Sequence, residues 1–354
     1  MNVLIIDWMN LVKRYIHSKG LAELEVGEVT KELTYYILNR LDKIFFTTKP
    51  DMIFICCDNG FNKRAAGLVA GYKANRKKFK SLTEEERERS YVNYLKMLAK
   101  SLPTAYIEIK DVEADMTIRC IVNSLKQIDP TINFTIASND SDMLQLIDDN
   151  VRIYHWTKDF ININNWLEKS LKTEFYFNPR NYALAKSIVG DMSDNVKGAP
   201  GIGWKKMYIL FDALHNHYGK DYVAETVYNL IESTENMFKT IDIKQQKSLG
   251  KILSIIKENA KIIHTNMFVI DMNMIETPFL FKIIEEIKRS ISVFSKSKFH
   301  RRIIIDLLKL NYEGELDIDD EEILRKNSKA LLSLMNIHKR TVYTSNLLLK
   351  RLEK

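Results

Sequence analysis

Cysteine is scarce: there are three in 354 residues, two of them adjacent as Cys56-Cys57 inside an apolar run. Neighbouring side chains on a strand point to opposite faces, so this pattern does not suggest a disulfide framework. No CxxC pair or spaced Cys/His set provides zinc ligands, and His215 and His217, next to Tyr218 and Gly219 in a turn-like stretch, read as surface histidines. Long hydrophobic runs are missing as well. The longest, Val3-Leu4-Ile5-Ile6 and Met52-Ile53-Phe54-Ile55, fall far short of the roughly 20 residues that span a bilayer. Met1-Asn2 leads straight into a strand-like run, without the basic segment and apolar stretch of a secretory leader, so the expected location is the cytoplasm. No internal repeat is evident.

What the chain does have is positive charge. The formal net charge is +7 and the pI is near 9.0, which favours polyanionic partners. Between Phe61 and Lys80 the basic residues Lys63, Arg64, Lys73, Arg76, Lys77, Lys78 and Lys80 occur with no acid among them.

Short β-branched or aromatic runs alternate with helical patterns, the signature of a largely parallel α/β sheet covered by helices. The expected strands are Asn2 to Ile6, Met52 to Cys57, Ala105 to Ile109, Asn133 to Ala137 and Val151 to His155. Val29, Leu33, Ile37, Leu41 and Ile44 recur at helical spacing between the first two strands, and a second helix starts near Glu113 and ends before Pro130. Residues 61 to 103 interrupt the alternation. From Pro179 strands become scarce, and beyond about residue 280 the chain reads as helical, with an acidic patch from Glu313 to Glu322. That patch fails as a calcium loop, because Glu322 and Ser328 stand where Gly and Glu would be needed, and it reads as solvated surface.

The acids elsewhere are placed more tellingly. Asp7 closes the first strand, Asp58 the second, and Asp140 and Asp142 follow the fourth in Ser138-Asn139-Asp140-Ser141-Asp142. Ligands of open α/β sheets bind beyond the carboxyl ends of the strands, so neighbouring parallel strands would gather these groups. Glu113 and Asp115 join them at a helix start, where an acid also serves the helix dipole. Gathered carboxylates repel, and a cation relieves the conflict. Oxygen ligands without Cys or His point to Mg²⁺ or Mn²⁺. Two such ions could orient a water and stabilise the leaving oxygen in a phosphodiester displacement. A lone Asp at a strand end is usually a turn or cap residue. Recurrence after three strands argues for more.

A glycine-rich segment, Gly198-Ala199-Pro200-Gly201-Ile202-Gly203-Trp204-Lys205-Lys206, precedes an apolar-periodic helix through Leu210 and Leu214. Glycines there permit close backbone approach and the helix start directs N–H groups outward, which suits phosphate. The Walker spacing GxxxxGK[ST] is absent, which disfavours nucleoside triphosphate chemistry.

Taken together, Asp7 in LIIDWMN, Asp58 in ICCDNG, YKANR at 72 to 76, VEAD at 112 to 115, ASNDSD at 137 to 142 and GDMSDNVKGAPGIGWKK at 190 to 206 resemble the 5′-nuclease superfamily of flap endonucleases, 5′→3′ exonucleases and phage-type RNase H, with the phage enzymes nearest in pattern. The resemblance covers residues 1 to about 215 and fades toward about 275. It implies a PIN-like nuclease core over 1–178 with helices on both faces and a helical arch at 61–103, a helix–three-turn–helix region at 179–279 that grips duplex, and a helical extension at 280–354 that could bind duplex or replication proteins. The implied metal ligands are Asp7, Asp58, Glu113, Asp115, Asp140, Asp142, Asp191 and Asp194, holding two Mg²⁺ or Mn²⁺ ions, with K⁺ a candidate at the 198–203 turn. Lys73 and Arg76 would contact the scissile phosphate, and Lys63, Arg64, Tyr72, Lys77, Gly201, Gly203, Lys205 and Lys206 the nucleic acid. The implied activity is metal-dependent removal of 5′ flaps or RNA primers from DNA or RNA/DNA duplexes, in the host cytoplasm if the chain is phage-encoded. Two departures stand out: Met116 replaces the second aspartate of the usual EADD, and Arg64 lies one position early for the arch arginine. The rival reading, a non-catalytic structure-selective DNA-binding protein, takes Met116 as a mark of lost metal chemistry.

Overall fold

A computed structural model describes residues 1–18, 26–60, 63–74, 82–275, 277–296, 337–338 and 340–352. The chain divides into two compact units, one of Met1–Gly60, Phe79–Asn139 and Pro278–Lys354, the other of Phe61–Lys78 and Asp140–Thr277.

The first unit is built on four parallel strands, β1 (Asn2–Asp7), β2 (Met52–Cys57), β3 (Ala105–Glu108) and β4 (Asn133–Ala137), in the order β3-β2-β1-β4. β2 is buried along its whole length and β1 from Val3 onward, as expected of unbroken apolar runs in a sheet covered on both faces. Its helices include α1 (Trp8–Ser18), α2 (Val26–Thr48), α4 (Leu82–Ser101), α5 (Ala114–Ile128) and α11 (Thr277–Ser295). α2 buries Leu33, Ile37, Leu41 and Ile44, and α5 buries Ile118, Ile121, Val122 and Leu125, the faces expected from their spacing. Helix α1, not anticipated, follows β1 without a break, and its Trp8, Leu11, Val12 and Ile16 are buried on one face.

Residues 340–352 form a further helix of this unit. Arg340 pairs with Asp51 at 3.6 Å, Arg351 with Asp129 at 2.8 Å, and the Ser345 hydroxyl lies 3.2 Å from the Met52 sulfur. Asp51, Met52 and Asp129 all lie where strands begin, so this helix closes the N-terminal edge of the sheet, opposite to the strand ends that carry the acids. The acidic patch from Glu313 to Glu322 lies outside the described residues.

The second unit begins with α3 (Lys63–Leu68), resumes with a short 3₁₀ turn (Ser141–Leu146) and the antiparallel pair β5 (Val151–His155) and β6 (Asp159–Ile161), and continues through α6 (Tyr182–Val189), the two-residue pair β7 (Gly190–Asp191) and β8 (Val196–Lys197), α7 (Trp204–Tyr218), α8 (Val227–Phe238), α9 (Ile243–Glu258) and α10 (Ala260–Ile270). The chain is therefore cut elsewhere than expected at two places. Residues 61–78 belong here because Ala65 and Tyr72 share a core with Val196 and Ile270. Residues 140–178 belong here too, where Gln145 donates to the Ile270 carbonyl at 3.2 Å and accepts the Met272 N–H at 2.9 Å. No helix among the described residues is long and apolar enough to cross a membrane.

Candidate active site

In the first unit, parallel register sets the acids side by side. Ile6 pairs with Ala137 and Asp7 with Cys56, so Asp7, Asp58 and Ser138 all stand at the C-terminal edge of strands spaced about 4.8 Å apart. Asp7 is buried, 7% exposed. Its Oδ1 accepts the Asn10 N–H at 3.1 Å, capping α1, and its Oδ2 accepts the Ser138 hydroxyl at 2.9 Å. Asn10 in turn accepts the Asn139 N–H at 2.9 Å, which ties the helix start to the loop after β4. Asp58 accepts the Ala114 N–H at 2.7 Å and so fastens the start of α5. Glu113 precedes that helix in extended conformation without a side-chain cap bond, and Asp115 accepts the Met116 N–H at 2.6 Å. Cys56 registers the field of this edge: burial pushes its thiol well up, and the charges of Asp7 and Asp58 push it further.

Hydroxyl and amide donors orient Asp7 and Asp58. An array of hard oxygens suits Mg²⁺ or Mn²⁺. Among the described residues no three His, Cys, Asp or Glu side chains converge tightly enough to cage an ion. Mg²⁺ commonly keeps several waters and is held by one or two carboxylates together with substrate phosphates.

In the second unit the segment Gly71–Ala74 is stapled to the 190–196 turn. Lys73, with φ of 57°, donates its N–H to the Asp194 carbonyl at 2.8 Å, and its ammonium lies 3.8 Å from Asp194 Oδ2. The Tyr72 hydroxyl donates to Asp194 Oδ2 at 3.3 Å, and Asn195 Nδ2 donates to the Gly71 carbonyl at 2.8 Å. Tyr72, expected at a nucleic-acid surface, is instead a core residue at 7% exposure. Lys73 is where the sequence led us to look for a phosphate contact. Arg76 and Lys77 lie outside the described residues, as do the side chains of Lys63 and Arg64.

Asp140 caps the 3₁₀ turn by accepting the Asp142 N–H at 2.9 Å. Asp142 and Asp191 are bridged by Lys186, which pairs with Asp191 at 2.7 Å and contacts Asp142. Burial pushes the Asp142 carboxyl up, with Asp140 and Asp191 adding to the rise and Lys186 opposing it. Asp191 is held below its ordinary value, because Lys186 and Ser193 outweigh the effect of burial. At Asp191 this ammonium, with Ser193, outweighs the burial that would raise the carboxyl, whereas at Asp142 it only opposes burial and the neighbouring acids. The sequence reading missed Lys186, although a lone lysine in the apolar stretch Tyr182-Ala183-Leu184-Ala185-Lys186-Ser187-Ile188-Val189 was a signal.

The glycines divide into two kinds. A Cβ on Gly198 would lie 2.2 Å from the Val189 carbonyl carbon, and one on Gly190 would lie 2.4 Å from the Gly198 nitrogen, so this pair serves close approach of the chain to itself. Gly201, at φ of 73°, and Gly203 face open space. Lys205 and Lys206 beside them are exposed, and Lys206 Nζ donates to the Gly201 carbonyl at 2.7 Å.

The family of the 5′-3′ exonuclease N-terminal, resolvase-like domain matches residues 2–174. A 5′-3′ exonuclease of Mycoplasmopsis pulmonis is 27% identical over 302 residues, covering 82% of this chain and 92% of that protein. A DNA polymerase I of Lactococcus lactis is 26% identical over 232 residues, which covers 62% of this chain and 26% of the polymerase; the chain thus spans about a quarter of that relative. Among solved structures, the zinc-bound 5′-exonuclease of bacteriophage T5 superposes with a TM-score of 0.57 at 17% identity, covering 88% of this chain and 98% of its own. A T5 flap endonuclease in a pseudo-enzyme-product complex with DNA and metal ions also gives 0.57 at 17% identity, covering 88% and 99%. At that identity the likeness concerns the fold.

Proposed function

Because the chain belongs to the 5′-nuclease superfamily, we propose that it is a divalent-metal-dependent nuclease that hydrolyses phosphodiester bonds near 5′ ends in branched or nicked duplexes, removing 5′ flaps or RNA primers in replication or repair. The observation that carries this reading is the row of acids, Asp7, Asp58, Glu113 and Asp115, at one edge of a parallel sheet. A bound Mg²⁺ or Mn²⁺ would supply Lewis acidity to the scissile phosphate and its attacking water.

The protein's own share is positioning and charge. Asp7, gripped at both oxygens, and Asp58, fixed by α5, are oriented by the protein's own hydrogen bonds. Asp140, Asp142, Asp191 and Asp194 of the second unit are assigned as further ligands. A cation at Asp142 or Asp191 would share them with Lys186 or displace it. Lys73 and Arg76 would offer positive charge to the phosphate as negative charge develops, commonly a large catalytic effect. Gly201, Gly203, Lys205 and Lys206 would hold the duplex backbone through N–H groups and ammonium charge at the start of α7. The T5 flap endonuclease solved with DNA and metal ions supports the choice of substrate, and the DNA polymerase I relative supports a replication setting.

One protein preparation assayed on 5′-flap, nicked and RNA-primed duplexes tests the reading. Product lengths are compared in Mg²⁺, Mn²⁺ and EDTA. Short 5′ products that vanish in EDTA are expected, whereas a folded protein that cuts none of the three substrates with either metal would be a binding protein and not a nuclease.

A further inference from the structure

Glu108 and Lys96 are ionised side chains drawn into the first unit and given no part in the mechanism above. Glu108 ends the edge strand β3, where register sets it beside Cys57, the residue before Asp58. Its Oε1 accepts Lys96 Nζ at 2.6 Å, and its Oε2 accepts the Tyr106 hydroxyl at 2.8 Å with Lys100 Nζ at 3.4 Å. Lys96 and Glu108 are only 20% and 15% exposed. Lys96 also donates to the main-chain carbonyl of Asp58 at 3.3 Å. Asp58 is thus held from two sides, by Ala114 at its carboxylate and by Lys96 at its backbone.

We propose that Lys96, anchored by Glu108, is a positioning residue that sets the carboxylate of Asp58 for metal binding. The inference rests on the metal-dependent reading above. An ion pair between two side chains alone would need no third partner. Here the ammonium is also aimed at the main-chain carbonyl of a candidate ligand, Asp58. Groups that orient first ligands commonly govern metal affinity nearly as strongly as the ligands themselves. Lys96 also lies on α4, which follows the basic stretch ending at Lys80 in sequence, so the same contact fastens that helix to the end of β2.

The experiment uses the full chain and Mn²⁺ as the probe, titrated by electron paramagnetic resonance without DNA. Melting temperature and steady-state cleavage of a nicked duplex are measured alongside. Lys96→Met keeps the apolar stem and removes the charge; the expected result is Mn²⁺ binding weakened by about 10-fold or more and kcat lowered comparably, with the duplex KM little changed. Lys96→Arg, which retains the donor, is expected to restore most of both. Glu108→Gln, which leaves Lys96 charged but less firmly anchored, is expected to weaken Mn²⁺ binding in the same direction, and it decides the matter if Lys96→Met fails to fold. Wild-type Mn²⁺ affinity in a folded Lys96→Met or Glu108→Gln protein, with any loss confined to melting temperature, overturns the proposal and leaves the nuclease reading standing. A wild-type chain that neither binds Mn²⁺ nor cleaves sinks both.

Discussion

Asp7 serves two purposes with one carboxylate, since Oδ1 caps α1 and the charge faces the strand edge. The substitution Asp7→Asn separates them. Asparagine caps helices about as well as aspartate and the Ser138 hydroxyl can turn to accept, so the melting temperature should hardly move. Cleavage should fall by about 10²-fold or more if the charge is what the site requires, and a melting curve with a cleavage assay on the same sample checks both. Glu108 gives a pH prediction. Burial alone would raise its carboxyl, but hydrogen bonds from Lys96 and Tyr106 and the two lysine charges bring it below the ordinary value. Its contribution to stability is therefore fully present above the unfolded value of about 4.3 and is lost as pH falls through the lower folded value. Glu108→Gln should flatten the acid side of a plot of melting temperature against pH and leave the neutral region parallel to wild type.

Helix α6 and the β7–β8 pair show what a single element contributes. Lys186 is the shared counterion of two acids, and removing one partner of a buried ionic group typically costs about 3–5 kcal/mol. Lys186→Met should lower the melting temperature accordingly, and added Mg²⁺ should recover part of the loss if Asp142 and Asp191 can hold a cation. A thermal melt with and without the ion reads this directly. Gly198→Ala should destabilise by about 3 kcal/mol or more, because its Cβ meets backbone that cannot yield. Gly203→Ala, with open space around it, should leave the melt unchanged and weaken duplex binding only. All five expected strands formed: β1 and β2 are dominated by apolar runs that end next to Asp7 and Asp58, while β3, β4 and β5 keep β-branched or aromatic residues alongside polar ones. Helix α1 was overlooked because it follows β1 with no loop, and Asp7, which reads as the end of a strand, is equally the start of a helix. Ser138 as the partner of Asp7, and Asp142 as one partner of Lys186, were invisible for a different reason: these pairs are 131 and 44 positions apart, and sequence spacing carries no such distance.

Across the whole chain, net charge of +7 makes salt the natural probe of function. Each lysine–phosphate contact adds roughly 0.9 to the slope of log affinity against log salt. Replacing Lys205 and Lys206 together by alanine should lower that slope by roughly 1.8 for a nicked duplex, as fluorescence anisotropy from low to physiological salt would record. The charge balance and the acid motifs were readable in the sequence; the division into units was not, since it rests on Tyr72 packing with Val196 and Gln145 bonding to residues 270 and 272. The helix at 340–352 has a consequence for synthesis. It covers strand starts at residues 51 to 133, so that rim of the β-sheet is sealed only once residues 340–352 have left the ribosome. A nascent chain stalled at residue 300 would carry all the acidic motifs and still present an unfinished sheet to chaperones and proteases.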